Sequence, residues 1–270
     1  MNKIEVISKS KIINEIDDRV TLSSTDDLLT IKISGEIKET ILLINNIYEN
    51  VTVVANDNAI VNLFEIKDNK SFSSFNYKYV LGNESKMSIN KFYYMGEYNE
   101  IIDVNLDGMG SDILFNLSAM TLDNQKYTIT LNHNNKKTIS NVYNHGVTFG
   151  DGTLELIVNG VVKSGMSDSV LNQDNKIMTM GNGKNIIKPN LYVDENMVEA
   201  RHGASIGRFN DEEIFYLETR GVPAEVGYHL LLNGFLLGNL QLEDDMKKEL
   251  SNIIEKFGRW QLWKGKISQC

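Results

Sequence analysis

Between about Leu28 and about His202 the chain is a succession of short β-branched or alternating segments, each closed by Asn, Gly or Asp, and the whole 270-residue sequence holds only two prolines. Leu29–Ile33, Thr40–Ile44, Val51–Ala55, Ile60–Ile66, Ile101–Leu106, Tyr127–Leu131 and Thr153–Val158 all read as strands. Turn signals recur roughly every eight to twelve residues, a spacing that suits a sandwich, a barrel or a β-solenoid. Asparagine argues for the last, because it tolerates left-handed geometry at stacked corners and its amide can satisfy corner backbone groups. Scarce proline agrees with strands whose N–H groups are all paired. No fixed-period repeat is evident, so the pattern leaves the three architectures open.

After Phe209 the period changes from two to that of a helix. Residues 211–219 read as one helix capped by Asn210, with Glu213 in capping-box spacing and Gly221 suited to a left-handed stop. Pro223 then opens a second helix through about Leu240. Leu250, Ile253, Ile254 and Phe257 recur at i, i+3, i+4 and i+7, which marks a third, amphipathic helix. The expected organisation is an arm over 1–27, charged and either a short helix or extended, a β body over 28–208 and a helical domain over 209–270.

The formal net charge of −9 argues against a nucleic-acid backbone as partner, since that surface needs clustered Lys and Arg. The one cysteine, Cys270, excludes a disulfide framework and a CxxC metal site, and is consistent with a reducing cytoplasm. A chain that held a metal cluster by itself would want several thiolates, and this one has at most one. Met1–Ser10 lacks the apolar core of a signal peptide, and the leucine-rich Val226–Leu240 stretch falls short of the roughly eighteen to twenty residues a bilayer requires. A cytoplasmic protein that does not enter the membrane is expected, and the sequon at Asn50–Thr52 is read as chance.

The most informative segment is Arg201–Gly221, RHGASIGRFNDEEIFYLETRG. Its HGA-S-x-G and FYLxxRG words resemble the signature of the SufB/SufD family of iron-sulfur cluster assembly proteins, in the SufD-like form. The similarity extends upstream through Asn105–Gly108, Ser111–Ile113, His133 with Ser140, Asn144–Val147, Gln173–Asn175 and Lys188–Leu191. It implies a right-handed parallel β-helix followed by a C-terminal helical domain. Two departures stand out. Where SufB proteins carry a cysteine upstream of the His-bearing signature, this chain reads Gly181–Asn185, with Lys184 nearest that position. The family's longer members also carry an N-terminal helical domain, so this chain looks like a compact form.

By the same resemblance, His202 is the candidate cluster and metal ligand, the matching histidine lying at the SufB–SufD interface. Strand parity places it with Val198 and Ala200, so the alternative is a core histidine. Glu199, of opposite parity, either faces a partner or is a solvated carboxylate. The cluster would be transient and shared across a subunit interface. The implied partners are a SufC-like ABC-type ATPase, docked by Phe215, Tyr216, Leu230, Leu231, Phe235 and Leu236, and either a SufB-like protein or a second copy of the chain. An apolar second helix can also pack wholly on the β body.

No catalytic residue is expected. Gly183-Lys184 mimics a phosphate loop, but Met178 replaces its first glycine and Asn185 its hydroxyl, so no ATP should bind. His133 and His145 lack cysteine partners for zinc. Cys270 supplies a thiolate only if the tail folds back. The leading reading is a scaffold subunit coupling ATPase dimerisation to opening of the β-helix interface. The others are a homodimeric scaffold that binds the cluster itself and, from another class, a β-helical carbohydrate-binding or carbohydrate-active protein, for which no cluster of acidic residues with aromatic platforms is found.

Overall fold

The computed structural model describes residues 4–7, 11–13, 18–68 and 73–267. Its strands are β1 (Ile4–Ile7), β2 (Lys11–Ile13), β3 (Val20–Ser24), β4 (Leu28–Ile33), β5 (Glu36–Ile44), β6 (Asn50–Ala55), β7 (Ile60–Lys67), β8 (Ser73–Leu81) and β9 (Lys86–Tyr94). They continue as β10 (Tyr98–Leu106), β11 (Asp112–Thr121), β12 (Asn124–His133), β13 (Ile139–Gly150), β14 (Thr153–Val162), β15 (Ser169–Gly181), β16 (Ile186–Val193) and β17 (Val198–Gly207). Three helices follow, α1 (Asp211–Thr219), α2 (Ala224–Leu237) and α3 (Asp244–Ile267).

From β4 onward, odd and even strands separate into two sheets. One runs β17-β15-β13-β11-β9-β7-β5-β1-β2 and the other β16-β14-β12-β10-β8-β6-β4-β3. Each strand pairs in parallel with the strand two ahead, so the chain winds as a parallel β-solenoid. Of the three architectures the alternation allowed, only this one turns sheet at every corner. At its start, antiparallel strands flank the winding: β2 pairs with β1, and β3 with β4. Before residue 28 the described residues are thus strands and turns, not helix.

Alternate residues point inward and fill the space between the sheets, among them Ile41, Leu63, Ile89, Phe115, Val142 and Ile177 from one sheet and Val53, Tyr79, Ile102, Ile129 and Val158 from the other. The outer face of the odd-strand sheet is also apolar. Phe64, Phe92, Met120, Val147 and Phe149 pack there against Leu232, Leu236, Leu250, Ile254 and Phe257 of α2 and α3. Burying each such side chain contributes roughly 1.5–3 kcal/mol.

Asparagine does more than turn corners. Asn45 and Asn58 do take positive φ at turns, but other asparagines stack along the solenoid in amide ladders. Asn76 donates to Asn50, Asn116 to Asn90, Asn172 to Asn141 and Asn190 to Asn159. Each rung ties the same position of successive turns, which fixes register where a two-residue period alone leaves it free to slip.

The core also holds four buried charges. Glu65 and Lys67 of β7, Lys91 of β9 and Glu100 of β10 are each at most 1% exposed. Lys91 lies 3.0 Å from Glu65 and 3.2 Å from Glu100, Lys67 lies 3.4 Å from Glu65, and the Tyr93 hydroxyl is 2.8 Å from both carboxylates. Tyr77 donates to Glu65, and the ammonium groups sit over the rings of Phe75 and Tyr77. Two cations and two anions sum to zero, which lets a dry interior hold them.

Helix α1 begins as its sequence indicates: the Glu212 N–H donates to the Asn210 side chain at 2.9 Å, and three acidic residues occupy its first turn. Gly221, at φ +83°, ends it; its N–H donates to the Glu218 carbonyl and that of Val222 to Leu217. Pro223 stands at the N-cap of α2 instead of inside its first turn, and α2 stops at Leu237.

Candidate functional site

The two ends of the solenoid differ. At the C-terminal end β16 pairs only with β14 and β17 only with β15, so each sheet finishes in an open edge. Among the described residues no further turn covers the interior. Ile186, Tyr192, Met197 and Ile206, all on this last turn, are large apolar residues left exposed. Open strand edges beside exposed apolar side chains are the features that soluble chains normally cover with a partner.

His202 lies on this turn. In the parallel register of β15 and β17 it pairs with Gln173, and Ile206 pairs with Ile177. Since Gln173 and Ile177 are buried inside the solenoid, His202 and Ile206 occupy the inward side of β17. The strand parity expected from the sequence therefore holds, but its consequence does not. His202 is exposed, because the layer that would bury it is absent from this end, and the core-histidine alternative fails for this chain. Glu199 projects to the opposite side of β17, where it is exposed and pairs with Arg201 at 3.1 Å. The two candidates do not share one face.

Below His202 the interior becomes polar. Asn144 of β13 donates to the Asn175 side chain at 2.7 Å, and Asn175 donates to the Gly203 carbonyl at 3.3 Å. Gln173 reaches across the solenoid to the Asn190 carbonyl at 3.4 Å. Asn185 plugs the adjacent corner, donating to Thr148 and Thr179 and accepting the Leu154 N–H. Lys184, nearest the SufB cysteine position, is exposed.

The glycines that mimic a phosphate loop have a different physical reason. A Cβ on Gly181 would lie 2.1 Å from the Gly150 carbonyl oxygen, and one on Gly183 would lie 1.8 Å from that of Gly152. The turns stack backbone on backbone there, and only glycine permits the approach. His133 is likewise accounted for. It is fully buried, with Nδ1 2.6 Å from the Thr138 hydroxyl and Nε2 2.8 Å from that of Ser140. Burial pushes its pKa down to about 4. Among the described residues no group of three or more His, Cys, Asp or Glu is arranged to hold a metal ion. Cys270 lies outside the described residues.

The helical candidates divide. Phe215, Tyr216 and Leu230 are 67%, 57% and 51% exposed, joined by Val226. Leu231 is half-buried. Leu236, expected at the docking surface, is fully buried against the β body and belongs to the core. Phe235 is half-buried and stacks on His145 with ring centroids 4.6 Å apart, while the His145 Nδ1–H donates to its carbonyl at 2.7 Å. Around it, Ser118 donates to the Leu236 carbonyl at 2.6 Å, and Asn239 donates to the carbonyls of Leu117 and Tyr143. These bonds occupy the end of α2 with the outer sheet face and leave the exposed residues of α1 and early α2 without such a role.

Two features escaped the sequence reading. The buried ion cluster had a signal, because Glu65 and Lys67 share the parity of Val61 and Leu63, and charges on an apolar face must find partners. Gln173 entered that reading only as part of the Gln173–Asn175 likeness to the family, and no local pattern marked it as the register partner of His202.

No described helix is long and apolar enough to cross a membrane. The family model described as SUF system FeS cluster assembly, SufBD core domain, matches residues 39–235. The iron-sulfur cluster assembly protein SufD of Bacillus subtilis (strain 168) is 29% identical over 138 residues, 49% of this chain and 31% of that protein. An iron-sulfur cluster assembly SufBD family protein of Mycobacterium leprae (strain TN) is 44% identical over 48 residues, 17% of this chain and 12% of its own length. SufD of Escherichia coli (strain K12) is 38% identical over 48 residues, 18% of this chain and 11% of its own. The chain thus aligns with no more than 31% of the length of these relatives. With the core-domain model covering most of its solenoid and all of its SufD-like signature, the chain belongs to the SufB/SufD family of iron-sulfur cluster assembly proteins.

Proposed function

We propose that this chain is a non-catalytic scaffold subunit of a SUF-type assembly complex, pairing through the uncovered last turn of its solenoid and docking an ABC-type ATPase through α1 and early α2. The observation that carries this reading is the position of His202, exposed with Ile206 on the inward side of an open terminal turn that also exposes Tyr192 and Met197. A neutral imidazole is a competent iron ligand. One imidazole is too few for a cluster, so the cluster is cargo held between subunits, with the remaining ligands supplied across the interface. A SufB-like protein carrying a thiolate is the partner whose chemistry complements this donor. A second copy of this chain, meeting the same open edge, is the alternative. The ATPase surface is supported by Phe215, Tyr216 and Leu230, whose exposure the cap does not require. A complex of this kind works in the cytoplasm, where thiols stay reduced.

The test is reconstitution of the complex with an ABC-type ATPase and a SufB-like protein, followed by iron and sulfide analysis. His202→Ala is expected to reduce retained iron and sulfide while sparing ATPase docking. Unchanged retention would make this chain a structural partner without a ligand of its own.

A further inference from the structure

We propose that Gln173 is a positioning residue for His202: its side-chain oxygen accepts one imidazole N–H and so leaves the other ring nitrogen as a lone pair directed at the open end of the solenoid. The inference rests on the reading of His202 as a ligand.

Three observations converge on it. Gln173 and His202 are register partners on adjacent parallel strands, with side chains on the same inward face. Neighbouring strands lie about 4.8 Å apart, and register partners on one face are the side chains that meet across adjacent strands. Second, the Gln173 side chain is held in place. It is 4% exposed, its amide nitrogen donates to the Asn190 carbonyl at 3.4 Å, and it packs over Gly160, where a Cβ would lie 2.3 Å from Leu171 Cδ1 and 3.1 Å from that nitrogen. Third, with the nitrogen committed, the amide oxygen faces a buried interior with no hydrogen-bond partner. A buried acceptor without a donor is unfavourable, and the imidazole in the next turn is the donor its register supplies. The neighbouring Asn144 oxygen is also unpartnered, but Asn144 stacks on Asn175 and its row continues to Ala204, which offers no side-chain donor.

The chemistry follows from imidazole having two distinct nitrogens. A ring that donates one N–H to a fixed acceptor is locked in a single tautomer, and the other nitrogen is then permanently a lone pair. An exposed histidine without such an acceptor samples both.

The test is nitrogen NMR of the full chain labelled at its histidines, with His202 assigned by comparison with His202→Ala. A single His202 tautomer is expected in the unaltered chain. Gln173→Leu, similar in volume but without an acceptor, should shift His202 to a tautomer mixture, and Gln173→Glu, which keeps the acceptor though it loses the donor to Asn190, should restore the single form at a pH where the ring is neutral. Circular dichroism reports whether the solenoid stays folded in each variant. Identical His202 nitrogen shifts in the unaltered chain and in folded Gln173→Leu would overturn the proposal, as would unfolding of Gln173→Leu with Gln173→Glu folded but tautomerically mixed. In the reconstituted complex, Gln173→Leu should lower retained iron on the order of ten-fold, the usual effect of removing the support of a metal ligand; iron retained in full despite a tautomer shift would show that the contact positions nothing. Iron insensitive to His202→Ala, with the tautomer shift intact, would instead remove the ligand reading and leave the Gln173–His202 hydrogen bond standing.

Discussion

His133 and His202 show how burial decides the use of one residue type. His133 sits in the core between two hydroxyls and is held neutral, its pKa pushed by desolvation from 6.5 to about 4. The folded state therefore binds this proton less readily than the unfolded chain. Its stabilising contribution is full above pH 6.5 and is lost as the pH falls from 6.5 toward 4, a loss of roughly 3 kcal/mol by linkage. Thermal melts across that window should show the loss, and His133→Gln should flatten the slope there. Glu65 acts at lower pH. Desolvation disfavours its charge, but Lys67 and Lys91, with the hydroxyls of Tyr77 and Tyr93, more than offset this and hold its pKa at about 2. Its contribution is present above pH 4.5 and is lost as the pH falls toward 2. Lys91→Met, which strands a buried carboxylate, should cost about 3–5 kcal/mol, read as a drop in denaturation midpoint. His202→Ala, at an exposed position, should change stability by less than about 0.5 kcal/mol.

Among elements, the helical cap divides into a packed part and an offered part. Leu236 is fully buried and Phe235 is stacked on His145, so Leu236→Asp should detach or unfold the cap and lower its helical circular dichroism. Phe215→Asp or Leu230→Asp should leave the cap folded and weaken ATPase binding by about 2 kcal/mol, the usual weight of an interface anchor; calorimetry with the purified ATPase measures it. That an apolar α2 can bury one face and offer another was legible in the sequence, but the boundary was not, because α2 is apolar nearly all round and a helix of that kind does not declare which side it buries. The strands were more legible. Alternation marked Val51–Ala55, Ile60–Ile66 and Thr153–Val158 correctly, since each residue's side is set by its immediate neighbours. The choice of solenoid over sandwich was not local. It depends on contacts between positions a full turn apart, such as the Asn172–Asn141 rung, and turns of unequal length hide that repeat from any fixed period. Only the likeness of the Arg201–Gly221 words to a family carried that information.

For the whole molecule, the asymmetry of the solenoid is the functional statement. Both ends present two edge strands, but at the start these are the antiparallel β2 and β3, while the other end presents the parallel β16 and β17 together with exposed Ile186, Tyr192, Met197 and Ile206 and a histidine on the inward side. Parity read from the sequence placed His202 correctly but implied burial, because nothing in local pattern reports that the next turn is absent. The account stands on this end being a pairing face. Its most direct test is the solution mass of the chain, by light scattering, alone and mixed with a SufB-like protein, with Ile206→Lys as the control that places a charge on the same inward side as His202. The predicted result is a mass of two subunits in at least one of the two conditions, reverting to one subunit in Ile206→Lys with circular dichroism unchanged. A single-subunit mass under both conditions, or a dimer indifferent to the lysine, would contradict it.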